Sequence, residues 1–140
     1  MRRGVLPAVV AVAVVATLLV PARVGAATKA PAIKMRAAGF GFVLARTDRQ
    51  ALYFWRVESR AGFKIRCTGS CAAAWPPLLV RSAKAVPRKV MGIKGTFGTI
   101  RRPDGRLQVT HNRRPVYTYA HERPGQVLCD NVDNWFVVRV

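Results

Sequence analysis

The sequence predicts a mainly β fold, a small sandwich or barrel built from two divergent repeats of short antiparallel hairpins. Three observations lead there. A short aromatic pattern occurs twice, as Tyr53-Phe54-Trp55-Arg56-Val57-Glu58 and as Tyr117-Thr118-Tyr119-Ala120-His121-Glu122. Each copy is followed by a Trp with Val five positions on, Trp75 with Val80 and Trp135 with Val140. Apolar residues also alternate with polar ones over short stretches bounded by turn residues. An internal repeat constrains architecture first, because both copies must build the same unit. Period-two alternation is strand patterning, and many short strands with frequent turns point to a sandwich or barrel.

The opening residues read as a secretory signal peptide. Arg2 and Arg3 precede an apolar run from Val5 to Val20, and Val24-Gly25-Ala26 supplies small residues for cleavage after Ala26. A retained anchor is the alternative, since the run approaches the roughly 17 residues that span a bilayer. Cleavage leaves residues 27–140, one domain in size, with no transmembrane segment. Residues 27–38 are small and basic without a period and read as a flexible lead. The repeat domain is then 39–140, with unit one at 39–81, a Pro- and Gly-punctuated linker at 82–95 and unit two at 96–140.

In unit one, Phe40, Phe42 and Leu44 alternate with smaller or polar residues, Thr47-Asp48-Arg49-Gln50 turns, and Ala51 to Val57 forms the partner strand. Unit two repeats this with Leu107 to Thr110, a turn at His111-Asn112-Arg113-Arg114, and Pro115 to Ala120. Asp48 and Asn112 suit hairpin turns, but Arg follows each where a tight primed turn prefers Gly, so loops longer than two residues are expected. Phe97 to Arg101 leads into Pro103-Asp104-Gly105, a strong turn signal in which Pro presets φ and Gly accepts positive φ. The only helix expected is about one turn from Ser70 to Trp75, capped by Ser70 and stopped by Pro76-Pro77.

The chain holds 24 basic and 6 acidic residues. Removing Arg2, Arg3 and Arg23 leaves 21 against 6, a net +15. That density attracts polyanions, although Arg outnumbers Lys 18 to 6 and a compositional bias toward Arg gives the same excess without a ligand.

Tyr53 and Trp55 share a strand face, as do Tyr117 and Tyr119. They read as core aromatics meeting across a pseudo-twofold, with a ring-stacking surface as the functional alternative. Glu58 and Glu122 end those strands, placed to accept turn N–H groups or pair with Arg. No nucleophile motif accompanies them, so no enzyme activity is expected. His111 and His121, with Cys129, Asp130 and Asp133, show no recognised metal-ligand spacing, and no cofactor is expected. Cys67, Cys71 and Cys129 are permitted disulfides in an exported chain. Cys67 and Cys71 can close a local bridge, or either can reach Cys129, and the odd number leaves one thiol over.

The run Cys67-Thr68-Gly69-Ser70-Cys71-Ala72-Ala73-Ala74-Trp75-Pro76-Pro77-Leu78 resembles the signature of a bacterial family of secreted repeats of unknown function, also described as predicted lipoproteins with a Tyr-x-aromatic-x-x-Asp motif. Asp104 to Thr110, Pro115-Val116-Tyr117 and Trp135 to Val138 resemble it too, so the likeness spans about residues 39–140. It implies a Cys67–Cys71 disulfide with Cys129 left as the odd thiol. Both motif acids are Glu here, the turn glycines are missing and no lipobox is present.

The expectation is therefore an exported, non-enzymatic envelope or extracellular module that binds an anionic polymer, a lipid surface or a protein partner. A redox- or metal-linked periplasmic accessory protein using Cys129 and the histidines is the alternative. Export argues against a physiological nucleic-acid partner.

Overall fold

The computed structural model describes residues 29–140, with Gly4 alone before them; the expected signal segment and its cleavage site otherwise lie outside the described residues. Among the described residues there are eight strands: β1 (Ile33–Ala37), β2 (Gly41–Ala45), β3 (Tyr53–Trp55), β4 (Leu79–Val80), β5 (Phe97–Arg101), β6 (Leu107–His111), β7 (Arg114–Pro115) and β8 (Trp135–Val137). Two short helices, α1 (Arg56–Arg60) and α2 (Ser70–Ala74), lie between β3 and β4. Every pairing is antiparallel. β1 pairs with β2, β3 with β8, and β6 lies between β4 and β5 with β7 also on it. These sheets are open: among the described residues no closed barrel forms.

Both faces of the central strands are covered. Val43, Ala45, Tyr53, Tyr117 and Val137 feed one core, while Leu44, Leu52, Val116 and Val138 feed the other. Successive side chains point to opposite faces of a strand, so a strand buried on both sides needs the continuous apolar runs seen at 43–45 and 135–138 rather than alternation.

Several elements differ from the sequence expectation. Residues 33–37, read as part of a flexible lead, form β1, because Met35 and Ala37 enter the core. The strand beginning near Tyr53 stops at Trp55 instead of running to Val57. Its register with β8 ends at Trp55–Trp135, and the chain turns into α1. A second helix therefore joins the one expected at Ser70–Trp75. In α2, Gly69 rather than Ser70 is the capping residue, and no side chain caps it. The 82–95 linker carries a 3₁₀ turn at Ala83–Ala85 and packs Val86, Val90 and Ile93 against the second core.

The two hairpin loops also differ from each other. Thr47-Asp48-Arg49 is a three-residue loop closed by Arg46 N–H to Gln50 O and Arg49 N–H to Arg46 O, with Arg49 at φ 71°. The expectation of a loop longer than two residues does not hold at Asn112-Arg113, which spans the pair His111–Arg114 with φ of 50° and 68°. Both central residues are left-handed, as a primed two-residue turn demands, although neither is Gly. Pro103-Asp104-Gly105 forms the expected turn, with Gly105 at φ 84°.

One hydrogen-bond pattern occurs in both halves. Leu44 N–H donates to Val138 O, Val138 N–H to Leu52 O, and Leu52 N–H to Leu44 O. Likewise Val109 N–H donates to Leu78 O, Leu78 N–H to Val116 O, and Val116 N–H to Val109 O. In each case the third strand comes from the other half of the chain. The segment at Leu78–Val80 seats on β6, and the C-terminal segment seats on β2 and β3.

Candidate functional site: reciprocal tyrosine–glutamate pairs around a tryptophan stack

Tyr53 and Tyr117 lie side by side and exchange backbone hydrogen bonds, 2.8 Å from Tyr53 N–H to Tyr117 O and 2.9 Å in return. Both side chains are fully buried. Each phenol reaches the acid of the other motif. Tyr53 Oη donates to Glu122 Oε1 at 2.5 Å, and Tyr117 Oη donates to Glu58 at 2.8 and 3.0 Å. Glu58 is carried on α1, so the helix turns its carboxylate inward, where Oε1 also accepts Arg66 N–H at 2.7 Å and Cys67 N–H at 3.0 Å. Glu122 Oε1 also accepts Leu128 N–H at 2.6 Å. The acids thus pin the loops at 66–67 and 128 to the tyrosines of the opposite motif.

Burial sets the proton affinities. Desolvation, then the hydrogen bond and charge of Glu122, pushes the Tyr53 phenol far above its ordinary value. Tyr117 moves the same way through burial and Glu58, with Gln108 and Arg102 pulling against it. Burial also raises the Glu122 carboxyl, opposed by the Tyr53 and Leu128 donors. Its Oε2 is buried without a partner among the described residues, which fits a carboxylate whose charged form is disfavoured. Neither phenol is a base near neutral pH.

The tryptophans stack between the pairs. Trp75 and Trp135 have ring centroids 3.9 Å apart at 8°. Tyr53 meets Trp75 edge-on at 5.3 Å, and Tyr117 meets Trp135 edge-on at 5.2 Å. Trp55 stacks outside Trp135, and Tyr119 lies outside Trp75. All eight motif residues belong to this one constellation. It is closed rather than open: Trp75 and Trp135 are buried, and Trp55 and Tyr119 are half-buried.

Arg102 joins the network and was not singled out in the sequence. It is 3% exposed and donates through its terminal nitrogens to Gln108 Oε1 at 2.6 Å and Cys67 O at 2.7 Å. Gln108 Nε2 in turn donates to Val116 O. A buried cation requires compensation, and Asp104, whose Oδ2 lies 3.8 Å from Arg102 Nε, is the acid paired with it. One cue in the sequence is its position just before Pro103 at a hairpin corner, where the strand's inward face continues.

Cys67 and Cys71 form a disulfide with Cα atoms 5.1 Å apart, within bridging range. Cys129 is free and half-buried. Burial first, then the Glu122 charge, raises its thiol above the ordinary value. His111 bonds Lys94 O through Nε2, and burial lowers its proton affinity. His121 is exposed beside the Tyr119 ring. Asp130 instead anchors the C-terminal segment through Val137 N–H and Arg139. Among the described residues no group of three or more His, Cys, Asp or Glu converges as a metal site.

An antiparallel β scaffold with one local disulfide and an internally bonded aromatic centre defines a structural class rather than a reaction. Residues 98–139 match a family described as a secreted repeat of unknown function. That match covers the C-terminal part of the chain and does not include the Cys67-to-Leu78 run. No curated protein and no solved structure matches the chain.

Proposed function

We propose that this protein is an exported, non-enzymatic envelope module, made of two exchanged copies of one unit, that adsorbs to anionic surfaces. The carrying observation is where its few acids go. Of six acidic residues, Glu58 and Glu122 are buried against tyrosines. Asp48, Asp104 and Asp130 are each committed to a neighbouring Arg. Those pairs also occupy Arg46, Arg106 and Arg139, which leaves 18 of the 21 basic residues in 27–140 against little outward-facing negative charge. A field of that sign concentrates near anionic surfaces, and each surface cation adds about 1 kcal/mol near an anionic leaflet.

Among the described residues five cations cover aromatic faces, including Arg56 over Phe136 at 3.9 Å, Arg114 over Phe54 at 4.3 Å and Lys34 over the exposed Phe42 at 4.8 Å. These pairs mix charge with apolar surface, as interfacial proteins do. The family description of a secreted repeat and the Cys67–Cys71 disulfide both support an oxidising, extracytoplasmic setting. Among the described residues no helix is long and apolar enough to cross a membrane. The redox alternative draws on Cys129, but its thiol is raised, whereas an activated thiol is lowered.

Co-sedimentation with phosphatidylglycerol and phosphatidylcholine vesicles tests the reading. Binding to the anionic vesicles alone is expected, lost as salt rises well above about 0.15 M. Equal binding to both, or binding indifferent to salt, contradicts it.

A further inference from the structure

We propose that the groove between β4 and the β5–β6 turn takes the phosphate and first acyl methylenes of one anionic phospholipid. This inference rests on the anionic-surface reading above and gives it a site. The groove encloses about 500 Å³, within the size range of small-ligand sites. Leu79, Val80 and Leu107 are its apolar lining, called the floor below, and Arg81, Arg101 and Arg106 its charged lining, called the rim.

Val80 is the register partner of Leu107, and Leu107 of Arg101, so the groove runs across one face of the β4–β6–β5 sheet. All three apolar floor residues remain half-exposed. Gly105 sits at the lip in a left-handed turn and contributes no side chain to fill the space.

The rim has one sign of charge. No acid lines the groove. Asp104, next to it, is occupied by Arg106, which holds its carboxyl down to about 2. Arg106 uses Nε and one terminal nitrogen for that pair, which leaves the other terminal nitrogen available. Arg101 spends one terminal nitrogen on Gly105 O and retains the other. Arg81 makes no ion pair among the described residues. Guanidinium groups bind phosphate oxygens in a fork geometry. A phosphodiester held there places its attached chain over Leu79, Val80 and Leu107. A polymer phosphate satisfies the rim and leaves the floor wet, so a lipid is the better complement.

The test uses the oxidised mature protein and two charge-matched double variants. Arg81→Glu/Arg101→Glu alters the groove, while Arg36→Glu/Arg88→Glu makes the same charge change at exposed positions elsewhere. Thermal melts verify that both fold. Affinity for phosphatidylglycerol vesicles is expected to fall about tenfold or more in the groove variant and clearly less in the control. Equal losses overturn the groove while leaving the surface-binding reading intact. Failure of the wild-type protein to bind these vesicles overturns both. Titration with monomeric dihexanoyl phosphatidylglycerol and with glycerol phosphate separates lipid from bare phosphate. Saturable binding of the short-chain lipid alone is expected, and equal binding of glycerol phosphate overturns the lipid assignment.

Discussion

A buried phenol must find an acceptor, and a buried carboxylate must find donors, or each costs its full desolvation. Tyr117 and Glu58 solve both problems together, as do Tyr53 and Glu122, but not equally. Glu58 keeps two backbone N–H donors if the phenol is removed, whereas Glu122 keeps only Leu128 N–H and already has one bare oxygen. Tyr117→Phe should therefore cost about 1 kcal/mol and Tyr53→Phe about 2 kcal/mol. Urea unfolding at neutral pH measures both, and the reverse order refutes this view of Glu122. The motif spacing made these residues visible in the sequence. Their crossing, each Tyr to the other copy's Glu, was not visible, because spacing along one strand does not reveal what the strand packs against. Arg102 stayed hidden for a related reason: one more Arg in an Arg-rich chain carries no local mark of burial.

Elements were legible where the signal is local. Pro103-Asp104-Gly105 turns as its residues require, and the Ala-rich segment before Pro76 is helical. Misreadings arose where a partner distant in sequence decides. β1 forms because β2 and the core need its inner face, not because 27–38 carries a strong pattern. α1 interrupts an aromatic strand where its partner leaves the extended region: Arg56 N–H makes one last bond to Asn134 O, and Asn134 is at φ 66°. The turns show a local cost borne by the fold: Arg49 and Arg113 occupy left-handed positions that favour Gly. Arg113 is compensated by stacking on Phe63 at 4.5 Å. No ring stacks on Arg49 among the described residues, so Arg49→Gly should stabilise the protein by about 1 kcal/mol. A lower unfolding midpoint for that variant would show that the Arg49 side chain contributes more than its backbone strain removes.

At the scale of the molecule, two features stand together, a positive exterior and a shared interior. The exterior follows from composition and was readable at once. The interior follows from exchange, in which each half donates its closing segment to the other. Leu78 lies between Val109 and Val116, and Val138 lies between Leu44 and Leu52. A unit made of residues 39–81 alone would leave β2 and β3 without Val138, and a unit of 96–140 alone would leave β6 without Leu78. The chain between the halves contributes Ile93 to the second core and packs Val86 and Val90 against it. The most direct measurement is cleavage of the folded protein at a specific protease site inserted near Lys84, an exposed position in the connecting segment. The account predicts that both fragments elute together at the intact size, with unchanged near-ultraviolet circular dichroism from the tryptophan stack, and separate only in denaturant. Fragments that part under native conditions, each keeping its own tertiary signal, would show two independent units and contradict it.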